Sequence, residues 1–247
     1  MSPSNQLKTA IRERWSRRER VEGWVQSNLN AEFNDPVCRK AWLSALQHAT
    51  AGGRVGHALD LGTGPGTIAQ LWAELGYFST GIDFSPGMLE AGRAAAANRG
   101  LAVDFQEGDA EAPPFVHRRF DVISSRFVLF TLPHPGYAVR RWVELLRTGG
   151  TIVLIGHDKT VGLKKRTVRP KKQPKRKPEK RHEDVLKQLP FVHHTPGDLI
   201  VLLEAVGLRD IQRMPMDDVV AARAAFARRN PGLGVHPSPP FIIVGRK

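Results

Sequence analysis

Three closely spaced glycines form a candidate binding site for an anionic group. Gly62, Gly64 and Gly66 follow the apolar run around Leu59 and Leu61, and an amphipathic pattern begins at Ile68. This order predicts a strand, a tight turn and a helix. Glycine tolerates positive φ and leaves room for a ligand against the backbone, and the first N–H groups of a helix favour a negative charge.

Two acidic residues end the next two predicted strands. Asp83 closes the strand at 78–83, 21 residues after Gly62, and Asp109 follows the strand at 101–105. An acid about 20 residues beyond a glycine turn can accept hydrogen bonds from both hydroxyls of a ribose. Because the carboxyl ends of parallel strands share one edge, the turn and both acids should meet there.

A nicotinamide dinucleotide site is the alternative interpretation of this turn. That pattern is Gly-x-Gly-x-x-Gly, and its third glycine serves helix–sheet packing. Here the third glycine comes one position earlier, and Pro65 lies inside the turn. The chain also lacks a second mononucleotide-binding half of adequate length, so a dehydrogenase is the less favoured interpretation.

The elements that must position these residues alternate along the chain. Strands and helices follow one another to residue 157, which predicts an α/β protein with a parallel sheet and right-handed crossovers. Residues 5–50 are predicted to be helical, with Asp35 as the N-cap of a helix that begins at Pro36. Near the end of the chain we expect a helix capped by Thr195, strands at 208–214 and 240–245, and a helix at 217–228.

Five segments resemble, in order and spacing, the successive motifs of class I S-adenosylmethionine (SAM)-dependent methyltransferases. They are Leu-Asp-Leu-Gly-Thr-Gly-Pro-Gly at 59–66, Gly-Ile-Asp-Phe-Ser-Pro-Gly-Met-Leu at 81–89, Gly-Asp-Ala-Glu-Ala-Pro-Pro-Phe at 108–115, Phe-Asp-Val-Ile-Ser-Ser-Arg at 120–126 and Leu-Arg-Thr-Gly-Gly-Thr-Ile-Val-Leu at 146–154. The resemblance spans roughly residues 55–158, and the most similar group is the small-molecule methyltransferases that include the ubiquinone/menaquinone type. It implies a Rossmann-like seven-stranded fold, with six parallel strands, an antiparallel last strand and a helical N-terminal cap.

The same resemblance implies SAM as the cofactor and S-adenosylhomocysteine (SAH) as the product. Asp60, Gly62 and Gly64 would face the methionine portion, and Asp83 would hold the ribose. For Asp60 the alternative role is local backbone capping. Further residues in the predicted cofactor-contacting set are Thr63, Gly66 and Ser125.

The adenine would lie between the second and third strands. Phe84 and Met88 would pack beside it, because an apolar face suits a π-system. Asp109 would accept from its amino group, and the Ala110 N–H would donate to its ring. For Met88, core packing is the alternative.

Candidate catalytic residues lie at the carboxyl ends of the fourth and fifth strands. Arg126 ends the fourth strand, and His157 and Asp158 end the fifth. A histidine followed by an aspartate at this rim could deprotonate or orient an acceptor, and Arg126 could bind a carboxylate or enolate through two N–H groups. Alternatively, His157 caps the strand and Arg126 forms an internal ion pair with the N-terminal helices.

Other histidines and aromatic residues carry weaker signals. His193 and His194 precede a helix that would flank the pocket, and together with His182 they lack the companion spacing of a metal site, so no metal is expected. An aromatic pocket or, more simply, core packing would explain Trp15, Trp24 and Phe130.

The charge of the chain is concentrated in one segment. The net charge is +13, but the stretch from Lys159 to Arg181 holds twelve Lys or Arg and the single acid Glu179, so it carries +11 and the remainder carries +2. Regular prolines and like-charge repulsion predict a disordered insertion at 159–183. It could be merely solvated, could guide an anionic small substrate, or could bind nucleic acid, although it contains no aromatic residue to stack on bases.

The composition limits the class of protein. One cysteine, Cys38, excludes an internal disulfide, and no apolar run approaches the ~20 residues that a membrane helix needs. Without a signal-peptide core at the N-terminus, we expect a cytoplasmic protein. The predicted division is a helical cap at 1–50, a SAM-binding core at 51–158, the basic insertion, and a C-terminal part at 184–247.

The sequence therefore predicts a SAM-dependent methyltransferase that acts on N or O of a small organic acceptor, as in a natural-product pathway. One alternative is a protein of this fold whose basic arm binds or methylates RNA. Another is a quinone C-methyltransferase. No stable membrane insertion is expected, and the pattern does not indicate an oligomeric state.

Overall fold

The computed structural model describes residues 3–26, 31–51, 53–116, 119–158, 188–231 and 238–247. The α-helices of these residues are α1 (Pro3–Ser16), α2 (Arg18–Val25), α3 (Pro36–Ala49), α4 (Thr67–Glu74), α5 (Pro86–Ala97), α6 (Pro135–Leu145), α7 (Pro196–Ala205) and α8 (Asp217–Arg229). The strands are β1 (His57–Leu61), β2 (Phe78–Asp83), β3 (Val103–Glu107), β4 (Phe120–Arg126), β5 (Leu146–His157), β6 (Arg209–Met214) and β7 (Pro240–Arg246). Two short 3₁₀ turns lie at Glu32–Asn34 and Leu129–Thr131.

All seven described strands form one sheet in the order β3-β2-β1-β4-β5-β7-β6. β1 pairs in parallel with β2 and β4, whereas β7 runs antiparallel to both β5 and β6. The strand order reverses at β1, and the crevice beyond β1 and β4 is where an open α/β sheet binds its ligands. The predicted fold, with an antiparallel last strand beside the sixth, is confirmed.

The apolar core forms two layers because alternate residues of each strand point to opposite faces of the sheet. Leu59 and Leu61 pack with Trp142 on one face. Ala58 packs with Trp42 and Trp72 on the other. The central strands are thus buried on both sides, as parallel strands flanked by helices must be.

The two predicted helix starts, at Asp35 and Thr195, are present with their capping bonds, and α5 has a cap as well. Asp35 accepts from the backbone N–H groups of Val37 and Cys38 at the start of α3. Ser85 caps α5, and Thr195 forms a capping box with Asp198 at the start of α7. These caps satisfy donors that a helix start leaves unpaired.

Some predictions differ from the structure or lie outside it. The third strand begins at Val103, two residues later than predicted, because residues 101 and 102 do not join the ladder with β2. The basic insertion at 159–183 and His182 lie outside the described residues, and the division into four parts stays a prediction.

Candidate functional site

The glycine turn between β1 and α4 has the backbone that its sequence predicts. Gly62, Gly64 and Gly66 have φ values of 64°, 53° and 73°, a region that other residues adopt only with strain. A Cβ atom on Gly62 would lie 2.2 Å from the Cγ2 atom of Val128, and one on Gly66 would lie 2.4 Å from the ring of Phe105. The turn therefore needs glycine both for its backbone and for its close packing.

Asp83 joins this turn to the end of β2. One carboxylate oxygen accepts from the Gly64 N–H at 2.9 Å, and the other accepts from the Ser85 N–H at 2.9 Å. Burial raises the pKa of Asp83, and these backbone hydrogen bonds oppose that rise. The turn and the acid thus meet at one edge of the sheet, as the strand pattern indicated.

A cavity opens at this edge, and we call it the glycine-turn cavity. Its walls come from the turn, the ends of β2, β3 and β4, and helices α1 and α2. Seven residues of the predicted cofactor set line it, namely Gly62, Gly64, Asp83, Phe84, Met88, Asp109 and Ala110.

Aromatic rings cover the cavity from the N-terminal helices. The rings of Trp15 and Trp24 meet edge to face with centroids 5.4 Å apart, and Trp24 meets Phe127 in the same way at 6.4 Å. The Nε1 atom of Trp24 would lie 3.5 Å from a Cβ placed on Gly64, so this indole faces the turn directly. Helix α2 therefore covers one side of the cavity.

The far end of the cavity is polar. Asp109 accepts from the N–H of Glu111 at 2.8 Å and forms an ion pair with Lys8 of α1 at 2.7 Å. Lys8 also lies 2.6 Å from the carboxylate of Glu111, which is 2% exposed. Ala110 lines the cavity, and its carbonyl accepts from Trp142.

Four residues of the predicted cofactor set do not line the glycine-turn cavity. The carboxylate of Asp60 is 2% exposed and accepts from the hydroxyls of Thr63 and Ser124, both at 2.7 Å. Burial raises the pKa of Asp60 to about 6, against these two hydrogen bonds and the charge of Arg126. Ser125 donates to the Leu61 carbonyl. The hydrogen bonds of Asp60, Thr63 and Ser125 thus stabilise the glycine turn. Gly66 packs against the ring of Phe105.

Arg126 lies at the end of β4 and lines the glycine-turn cavity. Its guanidinium stacks over the rings of Phe33, at 5.0 Å, and Phe127, at 5.3 Å. Burial lowers the pKa of Arg126 to about 10, opposed by the charges of Glu32 and Asp60. The arginine remains a cation at neutral pH, stabilised by the charges of these two buried acids. Its substrate-binding role and the alternative of an internal ion pair both stay predictions.

His157 lies in a neighbouring cavity. This second space, which we call the imidazole cavity, is lined by His157, His194, Phe130 and Ser125 among others, and it shares Phe127 and Val128 with the glycine-turn cavity. His157 therefore lies one side chain away from the proposed cofactor space.

The placement of Asp158 does not support its predicted catalytic role. Its side chain is buried and forms an ion pair with Arg213 of β6 at 3.0 Å, and it lines neither cavity. Asp158 lies one residue beyond the end of β5, and its backbone N–H donates to the carbonyl of Pro239.

The sequence did not predict the roles of two residues of the site, Lys8 and Phe127. Lys8 reaches Asp109 from 101 positions away, which no local pattern indicates. Phe127 has a φ of 62°, a strained conformation for a residue that is not glycine. The chain after β4 runs between the two cavities, so Phe127, together with Val128, forms the wall that they share.

Membrane-spanning helices and clustered metal ligands are both absent from the described residues. None of their helices combines the length and apolar character needed to cross a membrane. Within the same parts of the chain, no group of three or more His, Cys, Asp or Glu is arranged to hold a metal ion.

Comparisons with known sequences agree with this geometry. Residues 59–154 match the family model described as a methyltransferase domain. Aklanonic acid methyltransferase DauC of Streptomyces sp. (strain C5) is 35% identical over 128 residues, which are 50% of this chain and 56% of that protein. Demethylmenaquinone methyltransferase of Renibacterium salmoninarum is 34% identical over 96 residues, 39% of each chain. The chain thus spans about half the length, or less, of the curated relatives that it matches.

Solved structures have a similar fold. The SAM complex of Haemonchus contortus phosphoethanolamine N-methyltransferase 2 aligns with a TM-score of 0.64 at 16% identity, covering 96% of this chain and 60% of that chain. A SAM-dependent methyltransferase from Thermotoga maritima aligns with a TM-score of 0.60 at 19% identity, covering 96% and 99%. The resemblance to class I SAM-dependent methyltransferases is therefore confirmed for the central segment in sequence and for the described chain in fold.

Proposed function

We propose that the chain is a SAM-dependent methyltransferase that transfers a methyl group to an oxygen or nitrogen atom of a small organic acceptor. The observation that carries the proposal is the meeting of the Gly64 N–H with the Asp83 carboxylate at the mouth of the glycine-turn cavity. A backbone that a ligand can approach closely and an acid placed for ribose hydroxyls are what a nucleoside cofactor requires.

The lining of the glycine-turn cavity fits SAM. An ionised carboxylate has about four acceptor positions, and two backbone donors use only part of the capacity of Asp83. Phe84 and Met88 offer apolar surface to the adenine, and the carboxylate of Asp109 can accept from its amino group. The backbone of Gly62 and Gly64 lines the cavity where the methionine portion would lie, and Arg126 would balance the carboxylate of that portion.

The residues of the chain have to align two reactants and exclude water. When bound, SAM supplies a methyl group on a positively charged sulfur, so the cofactor brings most of the reactivity and the protein brings proximity. Trp15 and Trp24 close the cavity from the side of the N-terminal helices. His157, across the shared wall of Phe127, can take a proton from the acceptor.

A quinone C-methyltransferase is the second candidate. The relatives in Renibacterium salmoninarum and Pseudomonas putida are named as menaquinone and ubiquinone methyltransferases, which favours it. The RNA alternative depends on the basic segment, which lies outside the described residues. A small-molecule partner and a cytoplasmic location complete the first proposal.

The test is to incubate the protein with SAM that carries a labelled methyl group and with host extract divided into small-molecule, RNA and lipid fractions. We expect label in the small-molecule fraction, at a level that Asp83→Asn reduces. Label in RNA would instead favour a substrate-docking arm, and label in lipid would favour a quinone. No label with any fraction, from a protein that does not bind SAM, would overturn the proposal.

A further inference from the structure

A further cavity adjoins the glycine-turn cavity where α1 packs over the end of β3, and we call it the adenine-side cavity. The two cavities share the lining residues Phe84, Gly108, Asp109, Thr131 and Leu132. Of these two cavities, Lys8 lines only the adenine-side one. Asp109 thus borders the space proposed for the cofactor, and the ammonium group of Lys8 reaches Asp109 from outside that space.

The carboxylate of Asp109 is held by a donor on each oxygen. Its Oδ1 atom accepts from the backbone N–H of Glu111 at 2.8 Å, and its Oδ2 atom accepts from the Nζ atom of Lys8 at 2.7 Å. Together these two bonds fix the orientation of the carboxylate. Because an ionised carboxylate has about four acceptor positions, both oxygens keep capacity to accept from a ligand N–H group.

The same ammonium group is shared with a second carboxylate. The Nζ atom of Lys8 lies 2.6 Å from the Oε2 atom of Glu111, whose side chain is buried. The other oxygen of Glu111 accepts from the backbone N–H of His134 at 2.5 Å, which keeps this acid in place. Two neighbouring carboxylates repel each other, and a cation between them offsets that repulsion. Without the lysine, one of the two acids would take up a proton and could then donate a hydrogen bond.

We infer that Lys8 is a positioning residue that makes the site selective for a purine with an amino group at C6, because Lys8 holds Asp109 as a hydrogen-bond acceptor. The inference rests on the proposed function, in which Asp109 accepts from the amino group of adenine. A hypoxanthine ring has a carbonyl oxygen at C6, and that oxygen would face the carboxylate acceptor without a proton between them. The site should therefore reject the deaminated nucleoside.

The experiment compares SAH with S-inosylhomocysteine, which has a carbonyl oxygen at C6 in place of the amino group. Calorimetry measures the dissociation constant of each ligand for the full chain. We expect SAH to bind about 100-fold more tightly, the scale of one lost hydrogen bond to a charged group. Lys8→Met should lower this ratio about tenfold, because it weakens the binding of SAH more than that of S-inosylhomocysteine. Lys8→Arg keeps the charge and should retain most of the ratio.

Arg12→Met is the matched control. Arg12 also ties α1 to the end of β3, through an ion pair with Glu107 that does not include Asp109. This variant should keep the ratio of the unchanged protein even where its α1 is less firmly docked.

Three results would overturn the inference. The first is a ratio near one in the unchanged protein. The second is an unchanged ratio in Lys8→Met, because Lys8 would then act only by docking α1. The third is an equal fall of the ratio in Lys8→Met and Arg12→Met. If SAH binds in any of these cases, the inference alone fails; if SAH does not bind to the unchanged protein, the proposed function fails with it.

Discussion

The ammonium group of Lys8 lies 2.7 Å from the carboxylate of Asp109, although 101 positions separate the two residues in the chain. The same group lies 2.6 Å from Glu111, whose carboxylate is almost fully buried. One lysine thus ties α1 to the loop after β3, at the side of the cavity proposed for adenine. Any opening of α1 has to break both contacts.

Replacement of Lys8 should loosen α1 without unfolding the sheet. Lys8→Met leaves the buried Glu111 without its ammonium partner, and we expect the docking of α1 to weaken by about 1–3 kcal/mol. Hydrogen exchange of the amides in Pro3–Ser16 is the measurement. Arg18→Met is the control, because the pair of Arg18 with Glu22 is exposed and lies within α2, so its loss should leave the docking of α1 unchanged. Equal protection of the α1 amides from hydrogen exchange in both variants would contradict the role of Lys8 in docking α1.

A comparison of Gly62→Ala with Gly100→Ala separates the effect of backbone strain from the effect of a steric clash. Gly62 and Gly100 both have a φ of 64°, but a Cβ on Gly62 would lie 2.2 Å from Val128, whereas one on Gly100 would have nothing within 4 Å. We expect Gly100→Ala to lower the free energy of unfolding by about 1–2 kcal/mol through backbone strain alone. Gly62→Ala should lose about 1–3 kcal/mol more through the clash and should also lose SAM binding. Urea unfolding measures the loss of stability in both variants. Equal losses in Gly62→Ala and Gly100→Ala would contradict the clash with Val128.

Two arginines on α8 offer a comparison of buried and exposed ion pairs. Arg223 pairs with Glu32, and both side chains are at most 6% exposed, whereas Arg229 pairs with Asp35 and is 50% exposed. Arg223→Met removes the guanidinium partner of the buried Glu32 carboxylate, so we expect a loss of about 3–5 kcal/mol in the free energy of unfolding. Arg229→Met should cost under about 1 kcal/mol. Chemical denaturation measures both, and similar losses would contradict the burial argument.

Asp60 should make the stability depend on pH. Burial raises its pKa from 3.8 to about 6 in the folded chain. Between these values the folded state binds the proton more tightly than the unfolded state, so the free energy of unfolding falls as the pH rises through this window. About two units at about 1.4 kcal/mol each give a change of about 3 kcal/mol.

Asp60→Asn removes this titration. Relative to the variant, the unchanged protein should lose stability from pH values below the unfolded pKa to values above the folded one. Urea unfolding of both proteins across that range is the measurement. Parallel curves would mean that Asp60 titrates alike in the folded and unfolded chain.

The glycine turn and Asp83 could be predicted because a local pattern determines them. A strand, a left-handed turn and a capped helix follow from residues within 21 positions, and parallel pairing of β1 and β2 then brings Gly64 to Asp83. The seven-stranded fold followed from the same alternation together with the family resemblance.

The contacts that cover the site could not be predicted in this way. Lys8 with Asp109 and Glu32 with Arg223 are 101 and 191 positions apart, and they depend on how helices dock on a finished sheet. The separation of His157 from the glycine-turn cavity depends on the left-handed backbone of Phe127, a conformation that sequence patterns rarely indicate. Asp158 illustrates the same limit, because its partner Arg213 comes from a distant strand.

The central claim is that the glycine turn and Asp83 hold SAM, and a calorimetric titration of SAM tests it most directly. Asp83→Asn keeps the size of the side chain but replaces one acceptor oxygen by a donor, and Asp104→Asn makes the same change at an exposed site on β3. We expect the unchanged protein and Asp104→Asn to bind SAM equally, and Asp83→Asn to bind it more weakly by about 1–3 kcal/mol. Equal binding by all three proteins, or none by the unchanged protein, would contradict the account.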